Sequence, residues 1–192
     1  MLSLKNKKTN YSIFSTPFVI IVLISVTLIR IYSLIVSPIE LTVDEAQYWH
    51  WSRNLDFGYF TKPPLIAWAI AFSTSILGNA EWAVRLCSPI FHFLTSIILW
   101  KCGQIAFSSN AGRIAALIWI FTPAASLGSF IISTDTPLIL FWALSLLFAT
   151  TILLARYCQM LWPFWIQSEV IAPIHLKSFA VVGWGLNSYK DC

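Results

Sequence analysis

Two aspartates and one lysine are the residues of this sequence whose types and positions best suit chemistry. Asp44 and Lys62 lie in a polar, aromatic-rich stretch over residues 40–64, and Asp135 lies in the short run Ile-Ser-Thr-Asp-Thr-Pro. A carboxylate can accept a proton from an attacking hydroxyl, and a lysine can hold a phosphate. Two acids and one cation at one surface therefore suit a substrate that carries a phosphate.

A helix is predicted to present Asp44. Thr42 and Glu45 have the spacing of a capping box, which would start a helix at about Val43. Structural roles compete with chemical ones here, since Asp44 could serve only the helix dipole and Glu45 could serve only as a cap. On this basis Glu45→Gln is expected to have a mild effect on activity, whereas Asp44→Asn is expected to abolish activity and leave the fold intact. One face of the helix would carry Asp44, Tyr48, Trp51 and Leu55, and its aromatic residues would lie among lipid headgroups.

The composition predicts a multi-pass integral membrane protein. Hydrophobic residues make up 58% of the 192 residues and charged residues only 10%, against about 25% in soluble domains. The net charge of +4 comes from scattered basic residues, so no nucleic-acid-binding face is indicated. Four segments are apolar and long enough to cross a bilayer, at about 17–37, 82–106, 112–132 and 137–156. A fifth apolar stretch, 64–77, is too short and is predicted to be re-entrant or interfacial.

Basic residues predict which ends of these helices face the cytoplasm. Lysines precede the first helix, Lys101 and Arg113 flank the turn between the second and third, and Arg156 follows the fourth. Residues 1–16 would then be a cytoplasmic tail, 17–156 a four-helix region with an outer loop at 38–81, and 157–192 a divergent tail. Asp44 and Asp135 would emerge on the same, outer face of the membrane.

Arg30 is the one charged residue deep in the first predicted helix. A long cationic side chain can bury its stem and extend its head to the membrane surface. Snorkelling to the outer interface is the favoured interpretation, and a role facing a polar cavity is the alternative.

Several motifs in one order resemble the bacterial membrane glycosyltransferases of the protein O-mannosyltransferase-like superfamily. That group includes aminoarabinose transferases of lipid A and rhizobial galacturonosyltransferases of lipopolysaccharide. The resemblance covers about residues 15–156 and implies an all-α, multi-pass helical bundle, the N-terminal part of a glycosyltransferase C-type fold. The motifs are Asp44-Glu45-Ala46, Tyr48-Trp49, Gly58-Tyr59-Phe60, Lys62-Pro63-Pro64-Leu65, Trp82-Ala83-Val84-Arg85-Leu86 and Thr134-Asp135-Thr136-Pro137-Leu138.

The resemblance implies transfer of a sugar from a polyprenyl-phosphate donor to a lipid or glycan acceptor on the outer leaflet. Asp44 matches the catalytic acid of the first outer loop, and Asp135 matches the acid of the second. Lys62 matches the lysine before the Pro-Pro pair, which is associated with the donor phosphate. Some relatives carry a glutamate directly before that lysine, where it can join a metal site, but this chain has Thr61 there. No cofactor is therefore assigned, and a divalent metal stays open. The residues that the resemblance assigns to substrate binding are Lys62, Arg85, Glu45, Tyr48 and Tyr59.

Family members usually run two to three times longer than this chain, which predicts an N-terminal portion with little activity alone. The alternative to an enzyme is a truncated, non-catalytic paralogue or a membrane partner subunit. A small transporter fits poorly, because the charged groups cluster at one surface and not at the bilayer midplane.

Overall fold

The computed structural model describes residues 15–60 and 62–170, with side chains described as far as Leu154. Two compact units divide the chain, residues 1–148 and 149–192. The described part of the first unit contains seven helices and the beginning of an eighth, and the described part of the second is the remainder of that eighth helix.

Three helical segments of the described chain are long and apolar enough to cross a membrane. They are α1 (Thr16–Val36), α4 together with α5 (Glu81–Arg85 and Cys87–Ala106), and the first part of α8 (Asp135–Val170), as far as Leu154. At 1.5 Å per residue, segments of about 20 to 26 residues match a hydrocarbon core about 30 Å thick. The predicted all-α, multi-pass membrane architecture is thereby confirmed.

The segment predicted as one span over 112–132 is two helices instead. α6 (Ser109–Phe121) ends at Thr122, whose backbone is extended at φ −61° and ψ 133°, and α7 (Pro123–Gly128) begins at Pro123. A residue before proline is driven out of the helical region, and proline is well tolerated at the first position of a new helix. The Thr122-Pro123 pair therefore explains the break.

The broken segment nevertheless follows α5 along its length. At one end, Gly103 of α5 and Gly112 of α6 approach so closely that a Cβ added to Gly103 would lie 2.7 Å from the Gly112 Cα. At the other end, the Ser88 hydroxyl donates to the carbonyls of Gly128 and Ile131. Together α6 and α7 therefore return the chain to the end at which α5 began.

Arg30 of α1 is bound inside the protein, so the snorkelling prediction is wrong. Its side chain is 6% exposed, and its guanidinium donates to the Ile120 carbonyl at 2.5 Å and to the Ser126 and Ser129 hydroxyls at 2.9 and 3.1 Å. The last carbonyls of a helix have no partner within that helix. Since α6 ends just after Ile120, Arg30 supplies a hydrogen-bond donor to one of these carbonyls.

Two shorter helices lie between the first two spans. α2 (Val43–Trp51) begins where the capping box predicts, but it ends at Trp51, so Leu55 does not share its face. α3 (Leu65–Leu77) has 13 residues, about 20 Å of helix, which confirms that this stretch is too short to cross a bilayer. Gly78 ends α3 at φ 82°, in the left-handed region that favours glycine.

Two clusters of buried apolar side chains occur in the part of the chain whose side chains are described. One joins α1, α5 and α6 through Val19, Leu23, Trp100, Ala116 and Ile120. The other joins α2, α3, α4 and the segment before α8 through Tyr48, Ile66, Ile70, Val84 and Ile132. The second cluster lies beneath the segments that carry the sequence-predicted site residues, and it is what positions them.

Candidate functional site

The beginning of α2 is closed by a reciprocal capping box. The Thr42 hydroxyl accepts the Glu45 backbone N–H at 3.4 Å, and the Glu45 carboxylate accepts the Thr42 backbone N–H at 2.9 Å. This confirms the predicted spacing. It also places Asp44 in the first turn of the helix, where its side chain is exposed.

The Glu45 carboxylate does much more than cap the helix. It is fully buried and forms an ion pair with Arg85, with Oε2 2.7 Å from Nη2 and Oε1 2.9 Å from Nε. Oε1 also accepts the backbone N–H of Ile132 at 3.0 Å. Burial alone would raise the pKa of Glu45, but the hydrogen bonds from Arg85, Thr42 and Ile132 outweigh it and lower the pKa below its ordinary value.

Arg85 is also buried, and its guanidinium is hydrogen-bonded within the protein. Its side chain is 4% exposed, and besides its two bonds to Glu45 it donates to the carbonyls of Ile39 and Glu40, both at 2.8 Å. Four of its five N–H groups are thus used within the chain. The sequence predicted that Arg85 binds substrate, whereas its contacts fix the polypeptide between α1 and α2.

The bond from Ile132 to Glu45 brings the two acidic segments together. Asp44 is adjacent to Glu45, and Asp135 follows Ile132 by three residues at the first turn of α8. The helix begins at Asp135, so this residue and Thr136 lie within the first turn and not before it. Asp135 is exposed, as is Asp44. The fold therefore places both predicted acids at the same end of the bundle.

Lys62 lies at the base of a narrow turn near this end. Its backbone N–H donates to the Tyr59 carbonyl at 3.3 Å, and the Tyr59 N–H donates to the Lys62 carbonyl at 3.4 Å. Within the described residues, Glu45 and Arg85 form the one ion pair, and neither Asp44, Asp135 nor the Lys62 ammonium takes part in it. The side chains of Asp44 and Asp135 are exposed, and that of Lys62 is half-buried.

The two tyrosines predicted to bind substrate have different surroundings. Tyr48 is 2% exposed and belongs to the second buried cluster, so the prediction that it lies among lipid headgroups is wrong. Tyr59 stacks on Trp51 with ring centroids 4.8 Å apart and planes 9° apart. Its hydroxyl lies within 3.2 Å of the Asp56 N–H and the carbonyls of Trp51 and Asn54. Both tyrosines thus support the loop between α2 and α3.

No three His, Cys, Asp or Glu side chains in the described part of the chain are grouped as a metal site would require. Position 61, where some relatives have a glutamate, is outside the described residues. The structure therefore provides no donor set to which a metal could be assigned.

The contact that sequence reasoning missed is the one between Glu45 and the segment before α8. The motifs around Glu45 and Arg85 were visible, but nothing in their spacing showed that they pair with each other. The Ile132 contact could not be predicted from the sequence, because its donor is a backbone N–H, which nearly every residue has.

Comparison with known proteins identifies the family. Residues 61–190 match the family model described as dolichyl-phosphate-mannose-protein mannosyltransferase. The chain belongs to this family. The lipid A galacturonosyltransferase RgtD of Rhizobium johnstonii is 36% identical over 129 residues, which are 67% of this chain and 27% of that relative. No solved structure matched the chain.

The residue range matched by the mannosyltransferase family model contains part of the site just described. It includes Lys62, Arg85 and Asp135, whereas Asp44 and Glu45 lie before its first residue. The matched range also includes most of 157–192, the segment predicted to be a divergent tail. The chain spans about a quarter of the length of the curated relative that it matches.

Proposed function

We propose that the end of the bundle that carries Asp44 and Asp135, called here the acidic end, is part of the active site of a membrane glycosyltransferase. The enzyme would transfer a sugar from a polyprenyl-phosphate donor to a lipid or glycan acceptor. The observation that carries the proposal is the Glu45 carboxylate, whose contacts with Arg85 and Ile132 join the segments of Asp44 and Asp135. Family membership supplies the reaction class. The contacts explain how two exposed acids can be held near one another.

Asp44 is the proposed general base. In the reaction, an acceptor hydroxyl attacks the anomeric carbon of the donor sugar, and the bond from that carbon to the phosphate oxygen breaks. The electron pair leaves with the polyprenyl phosphate, and Asp44 takes the proton of the hydroxyl. An exposed carboxylate on a firmly capped first turn suits this task, because its helix is fixed while its oxygens remain accessible.

Lys62 is the proposed contact for the donor phosphate. Its ammonium is a compact charge on a flexible stem, and its backbone is held in the turn with Tyr59. Asp135 would orient the donor or the acceptor from the other acidic segment. Arg85 and Glu45, which are buried and bonded to each other, act in this scheme as positioning residues.

The acceptor is proposed to be a lipid A-like or related glycolipid, since the relative RgtD is named as a lipid A galacturonosyltransferase. The proposed location is the inner membrane, with the N-terminus in the cytoplasm and the acidic end outside. One feature supports this orientation: Lys101 and Arg113 lie at the opposite end of the bundle, beside the turn between α5 and α6, as basic residues on the cytoplasmic side do.

Turnover and binding in proteoliposomes test the proposal. The protein is reconstituted with a panel of polyprenyl-phosphate sugars and a lipid A acceptor, and released polyprenyl phosphate is measured. Asp44→Asn should lower the rate by about 10²-fold or more, as expected for loss of a general base. Asp56→Asn is the matched control, because Asp56 is also exposed and lies in the loop that directly follows α2.

A binding measurement tests the site even if this chain alone turns over slowly. Polyprenyl phosphate should bind the reconstituted protein, and Lys62→Gln should weaken that binding while Lys101→Gln, at the opposite end of the bundle, should not. Equal turnover in Asp44→Asn and Asp56→Asn, or equal donor binding in the two lysine variants, would contradict the proposed site.

A further inference from the structure

Exposed apolar side chains, two of them aromatic, also lie outside the spanning helices, in the loop between α2 and α3. Phe57 is 88% exposed and Phe60 is fully exposed, and Leu55 is 59% exposed. Scattered single apolar residues are normal on a surface, but these three fall within six consecutive residues. We call Leu55, Phe57 and Phe60 the aromatic tip.

The loop holds these side chains outward with a rigid framework. The Tyr59 hydroxyl lies within hydrogen-bond distance of three backbone groups of the loop, and its ring stacks on Trp51. The Trp68 indole N–H donates to the Asp56 carbonyl at 3.1 Å, and its ring meets Phe57 edge-on at 5.9 Å. A loop with this many internal bonds cannot easily fold its phenylalanines inward.

Charge near the tip favours a surface of phosphates. Arg53 is exposed and lies with its guanidinium 5.1 Å from the centre of the Trp49 ring, on one side of the tip in sequence. Lys62 lies on the other side. The one acidic residue between them, Asp56, turns its carboxylate to the Phe57 backbone N–H at 2.7 Å. Aromatic rings between two cations are typical of segments that enter the headgroup layer of a membrane.

We propose that the aromatic tip inserts into the lipid headgroup layer and anchors the loop that carries Lys62 to the bilayer. The tip follows α2, which the contacts of Glu45 and Arg85 hold at the end of the bundle where α1 ends and α8 begins. It is therefore near a membrane surface in any bilayer that the spanning helices cross. Insertion would remove from water the phenylalanines that the folded loop exposes. It would also fix the depth of Lys62. This proposal does not depend on sugar transfer.

The test places an environment-sensitive fluorescent amino acid at position 60, in protein reconstituted into vesicles of phosphatidylethanolamine and phosphatidylglycerol. Asn54 is the matched control position, because it is exposed on the same loop and bonds to Tyr59 only through its backbone carbonyl. At position 60 the emission should shift to the blue and be quenched by lipids that carry a nitroxide near the headgroup. At position 54 it should remain like that of the probe in water.

Each other result overturns the proposal. Water-like emission at position 60 means that the tip stays in solvent. A blue shift without quenching by the nitroxide lipids means that protein, and not lipid, covers Phe60. Equal quenching at positions 54 and 60 means that the whole loop is immersed, with no specific role for the tip.

Discussion

The Glu45 carboxylate accepts hydrogen bonds from Arg85, Thr42 and Ile132, so its two oxygens connect α2, α4 and the segment before α8. Removal of one partner of a buried ion pair leaves the other charge uncompensated. The mild effect expected for Glu45→Gln from the capping box alone therefore no longer holds.

Glu45→Gln should lower the free energy of unfolding by about 3 kcal/mol, the cost typical of a broken buried ion pair. Thermal unfolding in detergent measures the change. Glu40→Gln is the matched control, because Glu40 is exposed and contacts Arg85 only through its backbone carbonyl. Similar small effects in the two variants would show that the pair contributes little.

The lowered pKa of Glu45 predicts a dependence of stability on pH. Its folded pKa is below the ordinary value of 4.5, so ionised Glu45 contributes its full stabilisation above that value. The contribution is lost as the pH falls through the folded pKa. The melting temperature of the wild type should therefore fall more steeply below about pH 4.5 than that of Glu45→Gln. Parallel curves would contradict the assignment, since the two proteins differ only at position 45.

At the scale of the helices, α5 and α6 approach each other closely at Gly103 and Gly112. A Cβ on Gly103 would meet Gly112 backbone atoms at 2.7 and 3.0 Å, so the two helices would have to separate. Gly103→Ala should lower the free energy of unfolding by about 1–3 kcal/mol, as overpacking does. Gly58→Ala serves as the control, because no atom lies within 4 Å of its added Cβ. Detergent unfolding curves that do not distinguish the two variants would refute the close contact.

The helices that sequence predicted well are those with local signals. The capping box at Thr42 and Glu45 identified the beginning of α2, and length alone identified α3 as too short to cross a bilayer. The break at Thr122 was missed although Pro123 was visible, because hydropathy averages across a single interruption. The binding of Arg30 to the end of α6 was missed because its partners are about 90 residues away.

The same limit applies to the candidate site. Asp44, Lys62 and Asp135 were found from their types and from the family resemblance, and they are exposed or half-buried. Glu45 and Arg85 were found in the same motifs but given substrate contacts, whereas they bind each other. Residue type shows that a charge is present, but only the fold shows whether another residue already neutralises it.

At the scale of the whole molecule, Asp44 and Asp135 can share one face of the membrane if α1, the pair α4–α5 and the pair α6–α7 each cross it. The Ile132 bond to Glu45 then brings the beginning of α8 back to the side at which α1 ended. If α3 crossed, or if α6 and α7 did not, Asp44 and Asp135 would lie on opposite faces of a core about 30 Å thick.

Side-specific labelling tests this central claim most directly. Single cysteines at positions 44, 109 and 135, in a background without the native cysteines, are exposed to a membrane-impermeant thiol reagent in oriented vesicles. The account predicts that positions 44 and 135 react from the same side and that position 109 reacts from the other. Reaction of positions 44 and 135 from opposite sides would contradict both the topology and the shared site.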